Sequence, residues 1–104
     1  DNKCVLIIKE AVNKKYLDSL DDDKIHFLLL PLIHSEDIMD HELGHKLVDK
    51  YLNNHPEYNK IKNAWIDHTV AIKKFGRYPH RNNILNRKTT NEEKLFLKQP
   101  NSSW

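Results

Sequence analysis

Residues 35–52 have the sequence SEDIMDHELGHKLVDKYL, which predicts a helix that is apolar on two opposite sides. Ser35 suits the N-cap position, and Glu36 and Asp37 follow in the first turn, where the helix dipole stabilises carboxylates. Helical spacing sorts the apolar residues into two stripes, namely Met39, Leu43, Leu47 and Tyr51 and, on the opposite side, Ile38, Val48 and Leu52 together with His41 and His45. A helix with two apolar sides lies between neighbours, so this stretch predicts a layered all-α fold.

Helical patterns also cover the segments on both sides of this stretch. The predicted helices span residues 5–16, 25–30, 59–75 and a short last segment to Leu97. Pro31 ends the predicted helix 25–30, because proline cannot continue the hydrogen-bond ladder. Gly76 ends the predicted helix 59–75 by adopting a left-handed backbone conformation. Thr90 and Glu93 form a capping box for the last one. With no convincing strand pair, we predict one domain, residues 1–104, built from antiparallel helix pairs joined by short loops.

The composition excludes several classes of function, beginning with large multidomain proteins, because 104 residues fit one small domain. The 17 Lys+Arg against 15 Asp+Glu give a net charge of +2, which is too even for nucleic-acid binding through a concentrated basic face. The longest apolar run, residues 27–33, is far shorter than the roughly 20 residues of a membrane span, and no signal-peptide pattern is present. The single cysteine excludes a disulfide framework, and we predict that Cys4 is buried as a small hydrophobe beside Val5. We therefore expect a cytoplasmic protein without membrane or nucleic-acid partners.

The segment HELGH, which starts at His41, matches the HExxH pattern of zinc hydrolases. His41 and His45 would project from one helix face and hold zinc, while Glu42 would activate water. A catalytic zinc needs a third protein ligand, and Val48 and Tyr51 stand where the extended motif requires glycine and histidine. We therefore interpret the two histidines as packing residues and expect no cofactor, with a zinc hydrolase as the weaker alternative.

Two polar clusters are predicted to meet at one end of the helix bundle. One lies at the N-terminus of the helix in residues 35–52, where free N–H groups favour anions, and the other follows Gly76. His68 lies about two turns before the second cluster and is counted with it. The candidate binding residues are therefore His34, Glu36, Asp37, His68, Arg77, His80, Arg81 and Asn82. As a binding site, the arginines would hold a carboxylate or phosphate, and the histidines would exchange protons. As a structural lattice, Glu36 and Asp37 would instead pair with Arg77 or Arg81 and pin the loop.

The segments PLIHSED, from Pro31, and FGRYPHRN, from Phe75, are the most specific stretches of the chain. With TNEE from Thr90 and the closing PNSSW, in this order and spacing, they resemble the uncharacterised, mainly bacterial family called domain of unknown function 924. The resemblance implies an all-α fold like that of tetratricopeptide repeats, and it implies no established activity. Because members of that family are about twice as long, it also implies that this chain is the C-terminal half of the family fold. The family has glutamine where His41 stands, so the HELGH match is a coincidence within it.

These features leave three hypotheses for the function. The first is a helical-repeat interaction module, which binds a peptide or protein in a groove between helix pairs. Because a missing N-terminal half would leave an apolar face exposed, we expect self-association or a partner chain there. The second is an anion-binding protein or small enzyme that uses the two polar clusters. The third is the zinc hydrolase.

Overall fold

Five α-helices account for the fold of the chain, for which a computed structural model describes residues 2–100 and 102–103. In chain order they are α1 (Asn2–Asn13), α2 (Asp22–Ile33), α3 (Ile38–Tyr51), α4 (Tyr58–Phe75) and α5 (Asn91–Leu97). Short 3-10 turns at Tyr16–Ser19 and Pro79–Arg81 lie in the connections. No strand occurs within the described residues, so this part of the chain is all-α, as the sequence predicts. None of the helices in it has both the length and the apolar character needed to cross a membrane.

Consecutive helices are neighbours in space. α1 packs against α2, α2 against α3 and α3 against α4, and α2 also touches α4. Their facing sides enclose the main hydrophobic core, whose buried members are Val5, Ile8, Leu17, Ile25, Leu29, Leu32, Ile33, Leu47, Val48, Leu52, Ile61 and Trp65. A second, smaller core ties the end of α4 to α5 through Ala71, Ile72, Tyr78 and Phe96. The two-sided apolar pattern of α3 therefore reflects its contacts with both α2 and α4.

The start of α3 differs from the prediction, because the helix begins two residues later. Asp37 is the N-cap, and its side chain accepts a hydrogen bond from the backbone N–H of Met39 at 2.9 Å. The hydroxyl of Ser35, the predicted cap, instead donates to Asp40 at 2.6 Å and accepts from the N–H of Asp37 at 3.0 Å. As a result Glu36 lies outside the helix, in the turn that leads into it.

The end of α2 also differs from the prediction. Pro31 lies inside the helix, which continues to Ile33, so the prediction that the helix ends at proline was wrong. Proline lacks only its own N–H, and the ladder resumes beyond it, with the N–H of His34 donating to the carbonyl of Leu30 at 3.1 Å. The hydrogen bond that the missing N–H of Pro31 would make falls in the last turn of α2, and its loss does not end the helix.

Two predicted helix boundaries are confirmed. α4 ends at Gly76, which has a left-handed φ of +69°. The capping box of α5 is complete, since Thr90 accepts from the N–H of Glu93 at 3.1 Å and Glu93 accepts from the N–H of Thr90 at 2.9 Å. Both signals depend on residues close together in the chain, which is why the sequence alone identifies them.

Burial around α1 and α3 differs from the apolar pattern. Cys4 is exposed, so the prediction of a buried thiol was wrong. Its neighbour Val5 faces the core, and one residue along an α-helix turns the side chain by about 100°. In α3 the two stripes are not equally covered, because Val48 and Leu52 are fully buried whereas Met39 is 64% exposed.

Gly44 sets the distance between α3 and α4. It is buried, and the ring of Trp65 from α4 occupies the space beside it. A Cβ added to Gly44 would lie 2.1 Å from Cζ3 of Trp65. Glycine is therefore required here for close approach of the two helices.

Candidate functional site

The two histidines of HELGH face a threonine of α4. His41 is fully buried, and its Nδ1 lies 2.9 Å from Oγ1 of Thr69. Nε2 of His45, one turn later, lies 2.8 Å from the same oxygen. Glu42, between them, is exposed. Among the described residues no three His, Cys, Asp or Glu side chains are grouped to hold a metal ion, so the convergence point of the two rings is a hydroxyl.

Hydrogen-bond donors and acceptors fix the direction of this network. The ammonium of Lys62 only donates, and it lies 3.2 Å from Nδ1 of His45, so Nε2 of that ring carries the proton toward Thr69. At the other end the carbonyl of Ser35 only accepts, so Nε2 of His41 donates to it at 2.7 Å. In a neutral His41 ring Nδ1 is then an acceptor, and it shares the single proton of the Thr69 hydroxyl with the carbonyl of Trp65, to which that hydroxyl donates at 2.8 Å. Burial lowers the pKa of both histidines, which favours these neutral rings.

Tyr78, from the FGRYPHRN segment, lies next to this network. Its hydroxyl donates to the carbonyl of Ile33 and lies 3.2 Å from Nε2 of His41. The ring is enclosed by the guanidinium of Arg81 at 4.8 Å and by the ring of His68 at 6.0 Å. Burial raises the pKa of Tyr78, so the phenol stays protonated. Tyr78 thus joins the loop after α4 to the end of α2.

His68, whose ring contacts that of Tyr78, is a buried histidine. Its Nδ1 lies 2.6 Å from the carbonyl of Ala64, one turn earlier in α4. Burial lowers its pKa to about 4. The ring of His34 lies 6.3 Å away, and burial together with the charge of Arg81 lowers the pKa of His34 as well. Both shifts favour the uncharged form of these rings at neutral pH.

The two predicted polar clusters meet, through a contact that the sequence did not indicate. Glu36 accepts from the backbone N–H of Tyr78 at 2.6 Å and from both terminal nitrogens of Arg87 at 2.8 and 3.0 Å. The predicted pairing of Glu36 with Arg77 or Arg81 was therefore wrong. Partial burial opposes ionisation, but the hydrogen bonds and charge of Arg87 outweigh it, so the pKa of Glu36 is lowered.

Each predicted arginine has a partner within the chain. Arg77 donates to both oxygens of Glu93 at 2.9 and 2.7 Å and to the carbonyl of Lys88 at 2.8 Å. Glu93 is 1% exposed, and these bonds lower its pKa to about 2. Arg81 donates to the carbonyl of His34 at 2.9 Å. The arginines thus fasten α5 and the loop after α4 to the rest of the fold.

The remaining predicted residues have structural partners too. Asn82 is buried, accepts from Arg87 at 3.0 Å and donates to Thr89 at 3.2 Å. The ring of His80 lies 5.6 Å from that of Tyr78. Asp37 caps α3 and takes no part in the arginine contacts described above. A polar hollow of about 330 Å³ remains beside them, lined by Val5, His34, Ser35, Glu36, Asp37, Asp40 and Arg81.

An apolar groove lies between α1 and α2. It has a volume of about 510 Å³ and is lined by Cys4, Ile7, Ile8, Phe27, Leu28, Leu30, Pro31 and His34. Phe27 is 72% exposed and Ile7 65% exposed, and both line this one groove, so they form a contiguous apolar surface. The sequence held a signal for this groove. Four consecutive apolar residues, 27–30, surround a helix, so some of them must point away from any single core.

The fold and these sites define an all-α protein whose clustered polar side chains bond to one another and whose groove is apolar. The family described as bacterial protein of unknown function (DUF924) matches residues 1–101, so the chain belongs to that family, which confirms the resemblance.

A solved structure of a protein of unknown function from Agrobacterium tumefaciens is similar to this fold. It shares 30% sequence identity with the chain, with a TM-score of 0.79 over 93% of the chain. The match covers 52% of that protein, so this chain spans about half of its length. No curated protein matches the chain.

Proposed function

We propose that the protein is an interaction module that binds an apolar helix of a partner in the groove between α1 and α2. The observation that carries this proposal is the exposure of Phe27 and Ile7 on the walls of an apolar groove. Helix-in-groove binding uses such a surface, because the side chains of an amphipathic helix fill it at intervals of one turn.

The groove continues along α2. A second apolar hollow of about 350 Å³ is lined by Leu20, Asp23, Lys24, Phe27 and Leu28, so Phe27 and Leu28 border both hollows. Together the two hollows form a strip along the helix with charged residues at one end. This shape suits the length of a helix better than a small molecule, which binds in an enclosed cavity.

The arrangement of the helices supports a repeat-like architecture of the tetratricopeptide kind. In helical repeats each helix pair buries its apolar side against the next pair, and terminal pairs carry a polar outer side. Here the outer side of α1 and α2 carries four exposed large apolar residues, Leu6, Ile7, Phe27 and Leu28. This supports the hypothesis that the chain corresponds to the C-terminal half of the family fold. An exposed free thiol at Cys4 fits the reducing environment of the cytoplasm.

A synthetic amphipathic helix of about 14 residues, with Leu on one face and Lys on the other, tests the binding mode. A peptide of the same composition in scrambled order is its control. We expect the amphipathic peptide to bind and the scrambled peptide not to bind, as measured by fluorescence anisotropy at low protein concentration. Phe27→Glu should weaken binding at least about tenfold, because it places a charge on the groove wall. Ile84→Glu changes an 82% exposed residue that does not line the groove and should have no effect.

Two results would contradict the proposal. Equal binding of the amphipathic and scrambled peptides would show attraction by composition only. Equal loss in Phe27→Glu and Ile84→Glu would place the contact outside the groove.

A further inference from the structure

We propose that the partner helix is α1 of a second copy of this chain, and this inference rests on the proposed function. Two copies would pack by the same face about a two-fold axis. Such an interface requires one surface to carry both the protruding side chains and the recess that receives them. The α1/α2 face does so, because Ile7 and Phe27 protrude while Ile8 and Leu30 line the groove between them.

The charges of α1 are complementary to those of a second α1 in antiparallel orientation. Lys3, Leu6, Ile7 and Glu10 follow one another at intervals of three, one and three residues and so share one side of the helix. All four are exposed. If the two-fold axis passes between Leu6 and Ile7, Leu6 faces the partner's Ile7 and Lys3 faces the partner's Glu10. The contact then has an apolar centre with two opposite-charge pairs at its ends.

The overall charge permits this association. The net charge of +2 for 104 residues produces little repulsion between two copies. On α1, Glu10 already forms an exposed pair with Lys14 at 2.8 Å, so it can exchange this partner at small cost.

Sedimentation equilibrium over a wide range of protein concentration tests the proposal. We expect a concentration-dependent dimer in the wild type and in Ile84→Glu, and a monomer in Phe27→Glu with an unchanged circular dichroism spectrum. The single cysteine, Cys4, lines the groove, so its reaction with a thiol reagent should slow as the dimer forms. In Phe27→Glu that rate should not depend on concentration.

Charge reversal tests the register of the two helices. Glu10→Lys alone places two lysines opposite each other at both ends of the contact, and Lys3→Glu alone does the same with two glutamates. Each single variant should weaken the dimer by about 3- to 30-fold, because two exposed pairs are changed at once. The double variant restores opposite charges and should recover most of the wild-type affinity.

Three outcomes would overturn the inference. A wild-type chain that stays monomeric up to millimolar concentration, yet binds the amphipathic peptide through Phe27, would exclude the second copy and leave the proposed function intact. A dimer that Phe27→Glu does not weaken would place the contact elsewhere. A double charge reversal no tighter than either single variant would exclude the antiparallel register.

Discussion

Gly44→Ala tests the packing that holds the histidine network together. Alanine in place of glycine inside a helix ordinarily adds about 0.5–1 kcal/mol of stability, because glycine loses more backbone entropy on folding. Here the new Cβ would lie 2.1 Å from Cζ3 and 2.2 Å from Cη2 of Trp65. Carbon atoms in contact are about 3.5–4.0 Å apart, so the ring or one helix must move by more than about 1 Å.

Trp65 has little room to move. It is 1% exposed, and the rings of His41 and His45 pack against it at centroid distances of 6.2 and 5.6 Å. Over-packing a filled core costs about 1–3 kcal/mol, and we take the upper end because this ring is enclosed. After the gain in helix propensity, Gly44→Ala should lower the free energy of unfolding by about 2 kcal/mol.

Urea unfolding followed by circular dichroism measures this loss, and the melting temperature should fall by about 8–16 °C. Gly76→Ala is the matched control, since apart from the adjoining backbone and its two chain neighbours no atom of the described residues lies within 4 Å of the Cβ it would add. Its cost of about 1 kcal/mol is backbone strain at a φ of +69°. Trp65→Leu in the Gly44→Ala background should remove most of the clash. A Gly44→Ala protein as stable as the wild type would refute the close contact between α3 and α4.

Three further predictions concern the buried polar groups. Stability should fall as the pH drops from 6.5 to about 4, by up to about 3 kcal/mol from His68, because the unfolded chain protonates this ring while the folded chain keeps it neutral. The wild-type minus His68→Asn difference in urea unfolding isolates this effect, and equal pH profiles would contradict it. Glu93→Gln should lower the melting temperature at neutral pH, with a difference that shrinks as the pH falls from 4.5 toward about 2, where the native carboxylate becomes protonated; a difference that is constant with pH would exclude a role of the charge. Thr69→Val should cost about 1–3 kcal/mol in urea unfolding, because His41 and His45 both lose a buried partner; unchanged stability would show that the hydroxyl is dispensable.

The sequence predicts best those features that depend on near neighbours. Thr90 and Glu93 are three residues apart and cap one helix turn, and Gly76 needs only its own backbone freedom to end α4. The start of α3 depends on more. Ser35 and Asp37 are both good caps, and the choice is made by Asp40, which engages the Ser35 hydroxyl. A local pattern does not contain that competition.

Long-range pairs are beyond such patterns. Glu36 and Arg87 are 51 residues apart, and no periodicity connects them. Their contact arises because the chain reverses after the 3-10 turn at Pro79–Arg81, where the N–H of Arg87 donates to the carbonyl of Asn82 at 2.8 Å. The sequence predicted that the acidic residues in the first turn of the helix meet the loop after α4, since adjacent antiparallel helices bring these ends together. It could not select one arginine among several.

The HELGH segment shows how a motif can be satisfied without its chemistry. The spacing that would place two metal ligands on one helix face equally places two hydrogen-bonding rings there. In this fold a threonine hydroxyl stands opposite them, and Gly44 makes room for Trp65, so the packing of α3 on α4 accounts for both histidines and the glycine. Glu42, which would have to activate water, points to solvent. Because internal bonds occupy these polar groups, the exposed apolar residues of α1 and α2 are where binding to another chain should first be sought.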